Sequence, residues 1–148
     1  LPMNHAFKAG TYYIGDPCYV VRKGRWMPFL STTDFFRDPI REVGGFLLAG
    51  GGTAYGDGTY KDEEGRKYPV DAGMLSLIPM EWIKKYGKKP NDGAGHIVEF
   101  DKEFTVDVNG GIFRFGHVNI DTKNDEEEEE DPWEDEEKEE DEEGDGDE

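Results

Sequence analysis

The chain has 148 residues, a formal net charge of −18 and a single cysteine. One cysteine excludes an internal disulfide framework, and no apolar run approaches the roughly 18 residues that a membrane-spanning helix needs. We therefore expect a soluble, cytoplasmic protein with no membrane partner.

The negative charge is concentrated at the C-terminal end of the sequence. Residues 1–122 contain 15 basic and 16 acidic residues, whereas residues 123–148 contain 2 basic and 19 acidic residues. A block of like charges repels itself and buries little apolar surface, so it does not offset the roughly 1–2 kcal/mol of backbone entropy that ordering each residue costs. The sequence predicts a compact β-rich domain over residues 1–122 and a disordered polyacidic tail over residues 123–148.

The first half of the domain shows strand, turn and helix signals. Residues 10–21, GTYYIGDPCYVV, have β-prone runs on both sides of Gly-Asp-Pro, which favours a strand, a tight turn and a second strand. Residues 26–38 predict a short helix that ends before Pro39, with the Ser-Thr-Thr run as candidate caps and one face of a sheet covered by its aromatic residues. The glycines of residues 44–58 predict turns, bulges or close backbone approach.

The next segment predicts two strands and a second short helix. Residues 66–79, RKYPVDAGMLSLIP, are typical of a strand pair. Pro79 suits the start of a helix and Gly87 suits its C-terminal cap, so a short helix is expected between them.

The last part of the domain carries the strongest strand signals. The runs HIVEF, EFTVDV and GIFRFGHVNI are separated by Asp-Lys and by Asn109-Gly110, and an Asn-Gly pair favours a type I′ hairpin because both residues tolerate positive φ. In the middle run apolar side chains alternate with polar ones. These side chains are Phe104, Val106 and Val108. We predict an antiparallel three-strand meander from His96 to Ile120. The fold class is α+β, mainly antiparallel β, in one small domain with one or two short helices.

Four stretches of the domain are distinctive as motifs: YIGDPCYV, TAYGDGTY, YPVDAG and FGHVNIDT. Together they resemble a group of small uncharacterised proteins of bacteriophages and bacteria, and the similarity covers most of residues 11–122. The resemblance implies no established activity. The acidic tail separately resembles the acidic segments of phage-encoded DNA-mimic proteins, which inhibit host DNA-binding enzymes including RNA polymerase.

Three functional interpretations, which are nucleophilic catalysis, calcium binding and phosphate binding, have less support in the sequence than a purely structural role for the same residues. Cys18 with His96 or His117 as base has the residue types of a nucleophilic site, but no catalytic signature surrounds it and a buried small side chain fits better. The carboxylates of residues 57–64 could bind calcium but lack EF-hand spacing. The glycine-rich run AGGGTAYGDG lacks the Gly-Lys-Ser/Thr end of a phosphate loop. We therefore expect no catalytic residue, no metal and no cofactor.

A lysine patch lies in the run WIKKYGKKP, beside Trp82 and Tyr86. Its members are Lys84, Lys85, Lys88 and Lys89. These side chains could contact nucleic-acid phosphates with aromatic support, or they could form a solvated helix end in which positive charge complements the helix dipole. The sequence favours the solvated helix end and leaves direct nucleic-acid binding open.

The tail has a charge spacing close to that of a nucleic-acid strand. About three net charges per four residues, at ~3.3 Å per residue, give roughly one charge per 4–4.5 Å, against ~3.4 Å per phosphate in one DNA strand. Trp133 is the one aromatic residue of the tail; it either anchors the tail in an apolar pocket of the partner, which we favour, or has no specific role. The expected partner-binding residues are Trp133, Glu126, Glu127, Glu128, Glu129, Glu130, Asp131, Glu134, Asp135, Glu136 and Glu137.

Three functional hypotheses follow from this charge pattern. The leading one is a non-enzymatic, phage-encoded interaction protein whose tail mimics DNA and blocks the nucleic-acid site of a host protein such as RNA polymerase, a nucleoid protein or a nuclease. The alternative is a binding module that acts through the folded domain, with the tail as an intramolecular shield of the lysine patch or as a solubility device. An enzyme of unknown activity is the third hypothesis.

Overall fold

A computed structural model of the chain describes residues 6–124. The predicted disorder of the acidic tail and its predicted contact residues from Glu126 to Glu137 lie outside this range. The eleven strands of residues 6–124 are β1 (Ala6–Phe7), β2 (Gly10–Gly15), β3 (Ile40–Val43), β4 (Phe46–Gly52), β5 (Gly58–Lys61), β6 (Lys67–Val70), β7 (Met74–Pro79), β8 (Gly95–Phe100), β9 (Phe104–Asn109), β10 (Ile112–Phe115) and β11 (Val118–Asp121). The two α-helices of the same range are α1 (Trp26–Thr33) and α2 (Met80–Tyr86).

The strands form three antiparallel sheets. The central sheet has five strands in the order β3-β4-β7-β2-β8, a second sheet has four in the order β1-β9-β10-β11, and β5 pairs only with β6. This arrangement confirms the predicted fold class of a mainly antiparallel β domain with two short helices. No helix within residues 6–124 is long and apolar enough to cross a membrane.

The central sheet is buried on both faces because its strands alternate apolar side chains between two cores. In β2, Tyr12 and Ile14 belong to the core shared with the four-stranded sheet and with the β5-β6 hairpin. Tyr13, between them, belongs to the core shared with α1 and α2. Aromatic side chains of α1 complete that second core, as the sequence predicted for this helix. Period-two alternation of this kind places one strand between two layers.

Two glycines of β4 allow both layers to approach the strand closely. A Cβ added at Gly50 would lie 3.0 Å from the Leu75 carbonyl oxygen and 3.0 Å from the Phe36 ring. A Cβ added at Gly51 would lie 2.9 Å from Val108 Cγ1 on the other face. Close backbone approach, one of the roles predicted for this glycine-rich segment, therefore holds for β4. Within the run AGGGTAYGDG, residues 49–52 lie in β4 and not in an anion-binding loop, and the Gly50 amide donates to the Pro39 carbonyl.

The strand predicted after Gly-Asp-Pro is wrong. Residues Pro17–Tyr19 form a 3₁₀ turn instead. The Asp16 side chain caps this turn by accepting a hydrogen bond from the Cys18 amide at 2.9 Å. A carboxylate directly before proline favours such a capped turn over a second strand.

Both predicted helices are present, but their caps differ from the prediction. The Ser-Thr-Thr run forms the last residues of α1, and Thr33 Oγ1 donates to the Phe29 carbonyl at 2.9 Å within the helix. Gly87 follows α2 with φ −107°, so it is not a left-handed cap. Glycine is required there because an added Cβ would collide with the Val20 carbonyl oxygen.

A C-terminal three-strand meander is present, but two of its predicted strands are wrong. It consists of β9, β10 and β11, because the predicted first strand lies outside it and the predicted third strand, residues 111–120, is divided into β10 and β11. The predicted first strand, β8, pairs with β2 along all six residues and so belongs to the central sheet. The Phe100 and Phe104 rings stack 3.9 Å apart where the chain passes from one sheet to the other. The tight turn lies one residue later than predicted, since Asn109 pairs with Ile112 and leaves two glycines with positive φ between them. The predicted strand pair of residues 66–79 is likewise two strands in different sheets.

Candidate functional site

Two of the sequence motifs meet at one buried carboxylate. Asp16, from YIGDPCYV, is fully buried, and besides capping the 3₁₀ turn its Oδ2 accepts hydrogen bonds from the Asp71 amide at 2.8 Å and the Ala72 amide at 2.7 Å. Tyr19 Oη donates to Asp71 Oδ2 at 2.6 Å, which links YPVDAG back to the first motif. Both carboxylate oxygens of Asp16 therefore accept hydrogen bonds from within the domain. We interpret the contact between the two motifs as structural.

The geometry around Cys18 opposes nucleophilic catalysis. Burial, and then the neighbouring Asp16 and Asp71 carboxylates, raise the pKa of the Cys18 thiol to about 12. His96 Nε2 lies 2.8 Å from the Lys67 carbonyl oxygen, and the His117 ring packs against Phe100. Neither imidazole bonds to the thiol, which stays protonated at neutral pH.

The acidic loop after β5 forms its own hydrogen-bond network. Asp62 is 8 % exposed, and its carboxylate accepts hydrogen bonds from Tyr68 Oη at 2.7 Å and from Arg66 Nε at 2.8 Å. The amides of Glu64 and Arg66 donate to its other oxygen. Burial alone would raise the pKa of the Asp62 carboxyl, but these hydrogen bonds outweigh it and hold the pKa below its ordinary value. Within residues 6–124 no cluster of three metal-ligating side chains is present.

The lysine patch is exposed at the C-terminal end of α2. All four lysines are exposed, and the salt bridges found within residues 6–124 do not include them. Lys85 Nζ lies 5.4 Å from the centre of the Tyr86 ring, a cation–π contact. The patch therefore presents unpaired positive charge beside an exposed aromatic ring.

The structure adds basic residues that the sequence did not group with the patch. The amide of Lys88 donates to the Val20 carbonyl at 2.8 Å, and Arg22 Nε donates to the Gly87 carbonyl at 3.0 Å. These two bonds place the run from Val20 to Arg25, with three exposed basic side chains, beside the end of α2. The separation of 65 positions between Arg22 and Gly87 hides this grouping in the sequence.

An aromatic cavity of about 280 Å³ lies between α1 and α2, next to this basic surface. Its lining includes Val21, Arg25, Phe29, Val43, Trp82 and Tyr86. The Phe29 and Trp82 rings meet edge to face at 5.6 Å, and Tyr86 is 40 % exposed at the rim. Trp82 is 4 % exposed, and its Nε1 has no hydrogen-bond partner within residues 6–124. A buried indole N–H without an acceptor is uncommon.

The end of the described chain is fixed to the domain beside Ala54 and Gly111, beyond the C-terminal end of β4. Thr122 is fully buried; its Oγ1 donates to the Gly111 carbonyl at 2.6 Å and accepts from the Ala54 amide at 2.9 Å. Lys123 and Asn124 then bond to the Asp121 carboxylate. We call Thr122–Asn124 the tail exit. Polyacidic residues start directly after this fixed point.

Comparisons with known proteins add no functional assignment to this geometry. Neither protein-family models, nor curated proteins, nor solved structures gave a significant match to the chain. The resemblance to phage and bacterial proteins noted for the sequence motifs therefore stays an expectation.

Proposed function

We propose that the protein is a non-enzymatic interaction protein, of the kind phages direct against host enzymes, whose acidic tail occupies the nucleic-acid site of a basic host protein. The observation that carries this proposal is the partition of charge. Residues 6–124 contain 16 basic and 16 acidic residues, whereas residues 125–148 contain 19 acidic residues and one lysine. In this arrangement the folded domain, which has no net charge, serves as the carrier, and the polyanionic tail serves as the ligand that binds the partner.

The fixed tail exit supports the role of the domain as a carrier. Because Thr122 bonds to both Gly111 and Ala54, the polyacidic residues leave the domain from a defined position. Twenty-four residues in extended conformation span about 80 Å, enough to follow a nucleic-acid channel while the domain stays outside it. RNA polymerase, a nucleoid protein and a nuclease all offer such basic channels.

Competition with DNA tests this proposal. A fluorescent DNA duplex is bound to bacterial RNA polymerase, and displacement by the full chain is compared with displacement by a chain ending at Thr122. We expect the full chain to displace the DNA and the shortened chain to fail. Trp133→Ala separates a specific anchor from generic charge, since loss of a pocket anchor weakens displacement by roughly 30-fold, or about 2 kcal/mol. Equal displacement by both chains would contradict the proposal.

A second function is favoured by the basic surface beside the aromatic cavity. Seven basic residues from two distant segments meet there: Arg22, Lys23, Arg25, Lys84, Lys85, Lys88 and Lys89. The folded domain would then bind nucleic acid or another polyanion itself, and the tail would shield this surface. Replacing the four lysines by Gln should leave stability unchanged, because exposed pairs contribute only ~0–1 kcal/mol, but should move the tail amide resonances at low salt. Identical tail spectra would exclude shielding at the lysine patch.

A further inference from the structure

We propose that in the free protein the acidic tail folds back on its own domain, with residues 125–131 lying along a track of three arginines and Trp133 entering the aromatic cavity. The three arginines are Arg37, Arg41 and Arg25, and we call them the arginine track. This inference rests on the proposed role of the tail as a polyanionic ligand. It implies that the tail must dissociate from its own domain before it binds a partner.

The arginine track connects the tail exit to the aromatic cavity. Arg37 lines a cavity of about 380 Å³ together with Ala54 and Gly111, the two residues that fix the tail exit. Arg41 Nη2 donates to the Thr32 carbonyl at 3.2 Å, and Thr32 also lines the aromatic cavity. Positive side chains therefore follow one another from the exit to the cavity.

Few carboxylates oppose an acidic segment on this path. Asp34 pairs with Arg37 at 2.6 Å, with both side chains about half or more exposed, and Asp38 accepts from the Ile40 amide. Glu42 is adjacent to Arg41 in β3, so strand alternation directs it to the other face. An exposed pair such as Asp34 with Arg37 contributes little to stability, and a run of seven acidic residues can replace Asp34 as the partner of Arg37.

The length of the chain outside the described residues fits the path. Val43, which lines the aromatic cavity, pairs with Phe46 at the start of β4, and Ala54 at the tail exit lies two residues beyond the end of β4 at Gly52. The eight steps from Phe46 to Ala54 span at most roughly 26 Å at ~3.3 Å per residue. Trp133 is the ninth residue after Asn124, so an extended chain brings it up to about 30 Å from the exit. The intervening residues 125–131 are all acidic, which matches the positive side chains along the way.

The cavity has the size and chemistry to receive a tryptophan flanked by acids. At about 280 Å³ it is slightly smaller than pockets for drug-sized molecules, which measure roughly 300–1,000 Å³, and so suits a single large side chain. Its aromatic walls, in which the Phe29 and Trp82 rings meet edge to face at 5.6 Å, would pack on an indole. Residues Glu134–Glu137 would then lie near the lysine patch.

Covalent attachment favours the tail over other occupants of the cavity. A segment joined by a short linker is present at an effective concentration of about the millimolar range, well above most free ligands in a cell. Single-stranded nucleic acid and the tail of a second copy also combine negative charge with aromatic rings, so either could occupy the same cavity. The test below distinguishes them from the chain's own tail.

Paramagnetic relaxation in the full chain tests the docking without any partner. A spin label is placed on Glu136→Cys in ¹⁵N-labelled protein at low salt. Because burial raises the pKa of Cys18 to about 12, the label reacts at the introduced cysteine at neutral pH, and Cys18→Ser checks this. We expect the amides of Arg25, Thr32 and Val43 to lose about half or more of their intensity, and the loss to disappear at high salt.

Two variants and one mixture decide the outcome. Trp133→Ala, and separately Arg37→Gln with Arg41→Gln, should restore the amide intensities, whereas Lys61→Gln with Lys102→Gln, which makes the same charge change elsewhere, should not. Intensity loss limited to the lysine patch, or no loss, would overturn the inference. So would an equal loss in ¹⁵N-labelled copies that carry no spin label when they are mixed with spin-labelled copies, which would assign the cavity to the tail of a second copy. Removal of the loss by a single-stranded oligonucleotide at micromolar concentration would also overturn it, since nucleic acid would then outcompete even a tethered tail. Because no host protein is present, failure here leaves the DNA-competition result standing.

Discussion

The carboxylate of Asp16 accepts a hydrogen bond from the amide of Ala72 at 2.7 Å, across 56 positions of sequence. This bond, with its neighbour from the Asp71 amide, joins the Gly-Asp-Pro motif to the Asp-Ala-Gly motif. The first motif supplies a buried acceptor, and the second supplies a loop with free amides. Their shared role is to hold the turn after β2 against the loop before β7.

Replacing Asp16 by Ala should destabilise the domain strongly. The substitution leaves three backbone amides without the fully buried acceptor that they share, so we expect a loss on the order of 3–5 kcal/mol in the free energy of unfolding. Urea denaturation measures it. Asp71→Ala is the matched control, since it removes only the hydrogen bond to Tyr19 and should cost about 1 kcal/mol or less. Similar losses in both variants would show that the Asp16 contacts are not the source of stability.

The Asp62 network should make stability depend on pH in the acid range. Because the folded-state pKa of Asp62 lies below its ordinary value of 3.8, its contribution is present above pH ~4 and is lost as pH falls through the folded pKa. Asp62→Asn should therefore be less stable by about 1–3 kcal/mol at pH 7, with the difference shrinking at pH 3 and below. Asp57→Asn, at an exposed neighbour outside this hydrogen-bond network, is the matched control at each pH. A constant difference for Asp62→Asn would refute this assignment.

Gly50→Ala should be destabilising although Gly50 lies in a regular strand. Its new methyl group would lie 3.0 Å from the Leu75 carbonyl oxygen and the Phe36 ring, and we expect a loss of roughly 1–3 kcal/mol from overpacking. Gly24→Ala, with open space around the added Cβ, should change stability by less than about 0.5 kcal/mol. Thermal melting of the two variants side by side makes the comparison, and equal midpoints would disprove tight packing at β4.

The Cys18 thiol should react slowly with alkylating agents. A shift in its pKa from 9.0 to about 12 lowers the thiolate fraction at neutral pH by on the order of 10²–10³-fold. Iodoacetamide should therefore modify the folded protein far more slowly than the protein in urea, as mass spectrometry can follow. Rapid modification of the folded chain would reopen the nucleophile hypothesis.

Sequence patterns predicted elements well and their partners less well. The alternation of Phe104, Val106 and Val108 identified β9, because one face of that strand is buried and the other is exposed. The same kind of signal could not show that β8 crosses to the central sheet, since a hairpin and a corner between sheets begin with the same polar residues. Pairing depends on contacts such as Tyr12 with Val98, which a local pattern does not contain.

The candidate site was predictable only where its residues are close in sequence. The four lysines at the C-terminal end of α2 and just after it are within six positions of one another, and all four are exposed. Their union with Arg22 depends on a hydrogen bond across 65 positions, and the aromatic cavity depends on Phe29 of α1 meeting Trp82 of α2. Folding creates such neighbours, so local composition does not reveal them.

The salt dependence of DNA competition tests the central claim most directly. The full chain displaces a DNA duplex from bacterial RNA polymerase at ~50 mM and at ~200 mM salt, and a variant with Glu126–Glu130 replaced by Gln is measured beside it. If the tail mimics DNA, displacement by the natural chain should weaken as salt rises, and the neutralised variant should be weaker at low salt and less salt-dependent, because fewer counterions are exchanged. Displacement that is equal for both chains, or indifferent to salt, would contradict the proposed mimicry.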